Sequence, residues 1–200
     1  MAHTGKRRRR NQIRTPWSYV VVVGVIAGAI LIAVALWTSS QARSGAIALG
    51  AAAPSFALPA TTGGELALSQ LRGSKVVVYF YEGANCGPCQ AQLVELQSAL
   101  PVIGSLGASV VAATVDPLLL SESVAVQLHL GFPILEDTNH VLGSAFGVFR
   151  MPSGMDMGPV DDHSMFIIDA AGRVRWKWLA LETMHVPMAA VLTALREQVR

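Results

Sequence analysis

Cysteine is scarce in this 200-residue chain, which holds only Cys86 and Cys89. That scarcity excludes a fold stapled by a disulfide framework, and it leaves no second pair to complete a four-cysteine zinc site. Charge is thin as well. Asp, Glu, Lys and Arg make up 14% of residues against 52% hydrophobic ones, which excludes a disordered chain. Acid is missing altogether from residues 1–40, which carry Lys6, Arg7, Arg8, Arg9, Arg10 and Arg14. The other nine basic residues and all thirteen acids follow, so residues 41–200 carry a net −4 beneath the overall +2. A mildly acidic body argues against nucleic-acid binding. The sequence has no internal repeat, and its length suits one ordinary domain with a small remainder.

What is present begins with a long apolar run. From Val20 to Leu36 no residue is charged or strongly polar; Trp17 and Tyr19 precede the run and Trp37 closes it. As a helix, Ser18 to Thr38 rises about 30 Å, the thickness of a bilayer's hydrocarbon core. The aromatics suit the two interfaces, and the basic cluster before the run places the N-terminus in the cytoplasm. The expected organisation is a basic tail at 1–16, one transmembrane helix at 17–38, a linker at 39–53 and a domain at 54–200. That arrangement makes a single-pass protein of the cell membrane, with the bilayer around 17–38 and the domain extracytoplasmic. The alternatives are a signal peptide cleaved after Ala42, a twin-arginine signal or a buried soluble helix.

Beyond an Ala/Gly/Ser-rich stretch from Gln41 to Pro54, strand and helix patterns alternate. Residues 56–58 and 65–68 around Gly63-Gly64 predict a short hairpin. Lys75 to Glu82 (KVVVYFYE) and Ala108 to Val115 read as buried central strands. Gln90 to Leu100 predicts a helix stopped by Pro101, and Ser121 to Leu130 predicts another. A short strand at 132–135 and a short helix at 140–146 follow. Met165 to Asp169 and Arg173 to Leu179 predict a strand pair. In the second strand Arg173, Arg175 and Lys177 alternate with Val174, Trp176 and Trp178, one stripe solvated and one packed. Pro187 to Val199 closes as an amphipathic helix. The sum is an α/β sandwich with a mixed sheet.

Both cysteines fall in Cys86-Gly87-Pro88-Cys89, between a buried strand and a helix start. Unpaired N–H groups and the positive dipole end at a helix N-terminus stabilise a thiolate. Cys86, the more N-terminal, is therefore the expected nucleophile, and Cys89 the thiol that resolves a mixed disulfide. An inert disulfide or half of a metal site are the competing readings. Glu82, at the end of a buried strand and four residues before Cys86, is a candidate proton acceptor for a buried thiol or simply a solvent-facing strand end.

Several spaced segments resemble one family. They are Ala53-Pro54-Ser55-Phe56-Ala57-Leu58, Leu68 to Val78, Tyr79 to Cys89, Leu130 to Asp137, Ala145 to Val148 and Phe166 to Val174. Together they are similar to the thioredoxin-fold redoxins. This is the alkyl hydroperoxide reductase/thiol-specific antioxidant group, which shades into membrane-tethered TlpA/ResA-type thiol oxidoreductases. The resemblance implies a thioredoxin-like fold with a mixed central sheet between helices. In the peroxiredoxin branch a Pro-x-x-x-Thr-x-x-Cys frame and an arginine activate a peroxidatic thiolate. Aligned to that frame, Glu82 takes the Pro place, Cys86 the Thr place, Cys89 the peroxidatic place and His163 the arginine's place. The Gly-Pro pair is that of thioredoxin, whereas Asn85 replaces the usual Trp and His163 the usual cis-Pro.

The implied activity is thiol–disulfide exchange with Cys86 and Cys89 catalytic, acting on protein disulfides or fed by a membrane electron donor, without a cofactor. The alignment places His163 opposite the pair, able to lower a thiol pKa or to bind metal. One alternative is a peroxiredoxin-like reductase of hydroperoxides. Another is a module resembling the copper-delivering Sco proteins. It would bind Cu(I) through Cys86, Cys89 and His163 beside the Met-rich stretch Met151 to Met165, which otherwise reads as a loop with Met gap-fillers. His3, His129, His140 and His185 form no spacing that suggests a site.

Overall fold

A computed structural model of the chain describes residues 21–32, 45–149 and 158–197. The chain divides into two units, Met1–Ser44 and Gly45–Arg200. In the first, residues 21–32 form helix α1, with apolar side chains such as Val25 and Leu31 exposed. Among the described residues no helix is long and apolar enough to cross a membrane. The predicted span 17–38 extends on both sides beyond residues 21–32, outside the described residues.

The second unit is built on period-two alternation. Its strands are β1 (Ala57–Pro59), β2 (Glu65–Ala67), β3 (Lys75–Phe80), β4 (Ala108–Thr114), β5 (Ile134–Glu136), β6 (Ser164–Ile168) and β7 (Val174–Leu179). Strands β1 and β2 form the predicted antiparallel hairpin. The remaining five make one sheet in the order β5-β4-β3-β6-β7, parallel among β3, β4 and β5 and antiparallel at β6 and β7. Successive β3 side chains go to opposite faces. Val77 and Tyr79 join one core with Val110 and Ala112 of β4 and Met165 and Ile167 of β6. Val76, Val78 and Phe80 join the other with Val111, Ala113, Phe166 and Ile168. Both faces are thus apolar, as the KVVVYF run requires.

Helices cover both faces. On the first lie α2 (Gly87–Ser105), α3 (Leu118–Gln127) and α5 (Met188–Glu197), through Leu93, Leu96, Val124, Val191 and Leu195. On the second lies α4 (Val141–Phe146), through Leu142 and Phe146. This is the α/β thioredoxin-like architecture expected, a mixed sheet between helices.

Four local expectations differ from what the structure holds. Helix α2 does not stop at Pro101 but carries it in its interior to Ser105. Pro101 lies on the exposed side, where the backbone bond it forgoes can be replaced by water. Helix α3 begins three residues early, at Leu118, because Pro117 serves as its N-cap, and so leaves Leu119 76% exposed. Met165 belongs to the core rather than to a Met-rich loop, and residues 151–157 of that stretch lie outside the described ones.

The fourth difference concerns β7. Residues 45–53, expected within a tether, are laid along the domain. The amides of Ile47, Gly50 and Ala53 donate to the carbonyls of Phe146, Val174 and Gly172, and the Val174 amide donates to Ala51. Lys177 Nζ donates to the carbonyls of Ala46 and Ile47, and Arg173 donates to that of Gly50. The polar stripe of β7 is therefore partly covered, while Trp178 on the apolar stripe is 38% exposed. The β6–β7 turn is held by the Asp169 carboxylate, which accepts from the amides of Ala171 and Arg173 and from Arg175 Nε at 2.6 Å. Burial by itself would raise the Asp169 pKa, but these amides and the Arg175 charge outweigh it and hold the carboxyl below its ordinary value.

Candidate active site

The site forms where β3 ends and α2 begins. Cys86 is the N-cap of α2, in extended backbone, and its sulfur accepts from the Cys89 amide at 3.1 Å. Gly87 and Pro88 occupy the first two helical positions, where a missing N–H costs nothing. One turn brings Cys89 back beneath Cys86, with Cα atoms 5.2 Å apart, and the two are joined as a disulfide. Cys86 is 7% exposed and Cys89 fully buried, so approach from solvent is to Cys86.

The sheet register brings the other two predicted residues to the pair. Phe80 of β3 faces Ser164 of β6, and just past that last pair the two chains carry Glu82 and His163 out of the same end of the sheet, where they meet. The Glu82 carboxylate takes the His163 amide on Oε1 at 2.9 Å. Its Oε2 lies 2.6 Å from Cys89 Sγ and 3.7 Å from Cys86 Sγ. A disulfide sulfur has no proton, so these become hydrogen bonds when the pair is reduced and the Cys89 thiol can donate to Glu82. His163 Nδ1 stands 3.7 Å from Glu82 Oε2 and 3.8 Å from Cys89 Sγ. Of the open readings, Glu82 at a solvent-facing strand end is excluded, because the residue is buried against the sulfurs.

Sequence reasoning missed Tyr79, which read as one more core aromatic in a buried strand. Its hydroxyl lies 3.2 Å from His163 Nε2 and 3.5 Å from the Cys89 carbonyl. Burial, and then the Glu82 charge, push the Tyr79 phenol well above its ordinary value. It keeps its proton and can donate to the imidazole. Tyr79, Glu82, Cys89 and His163 thus form one buried polar cluster behind the exposed edge of Cys86.

The copper set is only partly assembled. Among the described residues, the group whose ligand atoms lie within 4.8 Å of one another is Glu82, Cys86 and Cys89, without His163. In the disulfide, moreover, neither sulfur is a thiolate able to bind metal. The remaining described histidines are elsewhere. His185 pairs with Glu95 at 3.0 Å, and His140 stacks on Phe149 with ring centroids 4.0 Å apart.

A second buried polar group lies at the start of α4. Asp137 accepts from the amides of Leu142 and Gly143, fixing that helix end. Asp161 packs onto Gly143, where a Cβ would collide with its carboxylate. Asp161 is fully buried close to Asp137, and His140 Nδ1 is 4.0 Å from its Oδ1. Burial first, then the charges of Asp137 and Asp162, raise the Asp161 carboxyl to about 8.

Similarity to known proteins agrees with this geometry. Thiol-disulfide oxidoreductase ResA of Geobacillus thermodenitrificans is 30% identical over 131 residues, covering 65% of this chain and 68% of that protein. Peroxiredoxin Bcp of Escherichia coli is 32% identical over 127 residues, covering 62% of this chain and 81% of that protein. Among solved structures, peroxidoxin BcpB of Mycobacterium tuberculosis superposes with a TM-score of 0.66 at 26% identity, over 74% of this chain and 96% of that one. The model of the AhpC/TSA family matches residues 49–177. With a thioredoxin-like sheet, a Cys86–Cys89 disulfide at a helix N-terminus and that match, the chain belongs to the AhpC/TSA family of redoxins and is an oxidoreductase.

Proposed function

We propose that the protein is a membrane-anchored, extracytoplasmic thiol–disulfide oxidoreductase that cycles between the Cys86/Cys89 dithiol and the Cys86–Cys89 disulfide. One observation carries this reading: both sulfurs are within bonding reach at a helix N-terminus, and the buried one has a carboxylate against it. Starting from the dithiol, the Cys86 thiolate attacks one sulfur of a substrate disulfide and expels the other as a thiolate. Cys89 gives its proton to Glu82, and its sulfur attacks Cys86. The second substrate thiolate leaves, the intramolecular disulfide closes, and two electrons have passed to the substrate. His163, with Tyr79 donating to it, stabilises the cluster through these changes of charge. Protein disulfides are the substrates, and a membrane donor returns the electrons. The apolar run at 17–38 with its basic flank supports the anchor and the extracytoplasmic side.

A peroxiredoxin reading has support of its own in the Bcp relatives. There a thiolate would cleave the O–O bond of a hydroperoxide, forming a sulfenic acid and releasing water or an alcohol, and the second cysteine would then close the disulfide. Against it, Cys86 holds the place of the activating Thr and His163 that of the arginine. The deciding experiment gives the reduced full-length chain hydrogen peroxide or insulin disulfides, in parallel, and follows loss of free thiol. Rapid oxidation by insulin with peroxide oxidation at an ordinary thiol's rate is the expected result. Oxidation by peroxide orders of magnitude above a free thiol, with insulin untouched, overturns the proposal in favour of the peroxidase.

Glu82→Gln tests the proton step separately. It is expected to slow turnover by about 10²–10⁴-fold, the usual contribution of a positioned acid or base. The readout is the lifetime of the mixed disulfide, which should lengthen while its formation continues. Unchanged resolution would remove Glu82 from the mechanism.

A further inference from the structure

The loop that delivers Cys86 is held by two side chains outside the cluster described above. Ala84 is the anchor. Its amide donates to Asp116 Oδ2 at 2.5 Å, and its carbonyl accepts from Gln90 Nε2 at 2.6 Å. Asp116 lies between β4 and α3, so it ties the loop to the sheet. Gln90 sits in the first turn of α2, with its own amide on the Cys86 carbonyl, so it ties the other backbone group of the same residue to the helix. The Cys86 amide in turn donates to the Gly83 carbonyl. Gly83 has φ +143°, and a Cβ there would stand 3.0 Å from Asp116 Oδ2. A glycine at 83 is what lets the carboxylate come this close.

We propose that Asp116, together with Gln90, is a positioning residue that sets the reactivity of Cys86 through the backbone N–H and C=O of Ala84; this rests on the reading of Cys86 as nucleophile. The sulfur is stabilised as a thiolate by the Cys89 amide and the α2 dipole only while Cys86 keeps its N-cap geometry. That geometry is inherited from residues 83–85. Asp116 fixes those residues against β4, beside the strand end that carries Glu82. Its negative charge pulls the other way, because a carboxylate near a thiolate disfavours it. Positioning and charge therefore predict shifts of opposite sign, which makes the two separable.

The test measures the pH dependence of iodoacetamide alkylation of Cys86 in the reduced full-length chain, with Cys89→Ser as background. Asp116→Ala removes both the acceptor and the charge. It is expected to raise the thiolate midpoint by about one pH unit, making alkylation near neutrality roughly tenfold slower. Asp116→Asn keeps an oxygen for the Ala84 amide and loses the charge, so its midpoint should return to the parent value or fall slightly below it. Gln90→Ala, which frees the Ala84 carbonyl, should move the midpoint in the direction of Asp116→Ala and provides the test if that variant does not fold. A midpoint that falls in both Asp116 variants, or that stays put in Asp116→Ala and Gln90→Ala alike, overturns the proposal. A purely structural role would lower the unfolding temperature and leave the midpoint in place. Because alkylation reads Cys86 directly, it gives its answer regardless of whether the natural oxidant is a disulfide or a peroxide, and a failed insulin assay leaves it intact.

Discussion

Cys89→Ser turns the protein into a trap: it attacks a substrate disulfide through Cys86 and remains joined to it. The reason is geometric. Cys89 is the buried sulfur beneath Cys86, and no other cysteine exists in the chain to release the adduct. Cys86→Ser leaves only the buried thiol and should lose exchange down to the background of an ordinary inaccessible thiol. Non-reducing electrophoresis after mixing with an oxidised protein substrate reads both outcomes. A stable mixed disulfide with Cys89→Ser and none with Cys86→Ser is expected. The reverse pattern would assign attack to Cys89, the sulfur in the peroxidatic place of the family frame, and would favour the peroxide chemistry of the Bcp relatives.

Asp161→Asn should flatten the pH dependence of stability. The folded protein holds the Asp161 proton to about 8, against 3.8 for an ordinary aspartate. Between those values the unfolded chain loses the proton and the folded one keeps it, so the stability that Asp161 contributes is full below pH 4 and drains as pH rises towards 8. The steepest loss is about 1.4 kcal/mol per pH unit, and relaxation around an ionised Asp161 reduces it. An amide at this position stays neutral throughout. Urea unfolding at pH 5, 6.5 and 8 is expected to show the parent weakening along the series. The variant should hold nearly level and be the more stable of the two at pH 8, by about 1 kcal/mol or more. Parallel declines in both proteins would show that Asp161 does not bind a proton so tightly.

Much of this architecture was readable because it depends on local pattern. The valine-rich runs of β3 and β4 are apolar at every position, and only a strand packed on both faces accepts that. The cysteine pair was readable because its spacing is one helical turn and it follows such a strand. Glu82 announced itself as an acid at the end of an apolar strand, and His163 only through family resemblance, since their meeting depends on the β3–β6 register. Tyr79 was hidden because an aromatic in a core strand needs no other explanation. Asp116 and Gln90 were invisible for a different reason. Their common partner is the backbone of one residue, Ala84, and nothing in the residue types at 84, 90 and 116 records that they converge. Pro101 misled because a proline ends a helix when its lost hydrogen bond is buried, and here it faces solvent.

The strap at 45–53 gives β7 something other than attachment. An outermost strand exposes unpaired amides and carbonyls to any neighbouring chain, and here Ala52 bridges Arg173 while Gly50 and Ala51 engage the carbonyl and the amide of Val174. The start of β7 is thereby closed to pairing by the domain's own leader. The segment is an edge guard: a form cut at residue 54 would keep every residue of the redox cluster and still gain an adhesive border.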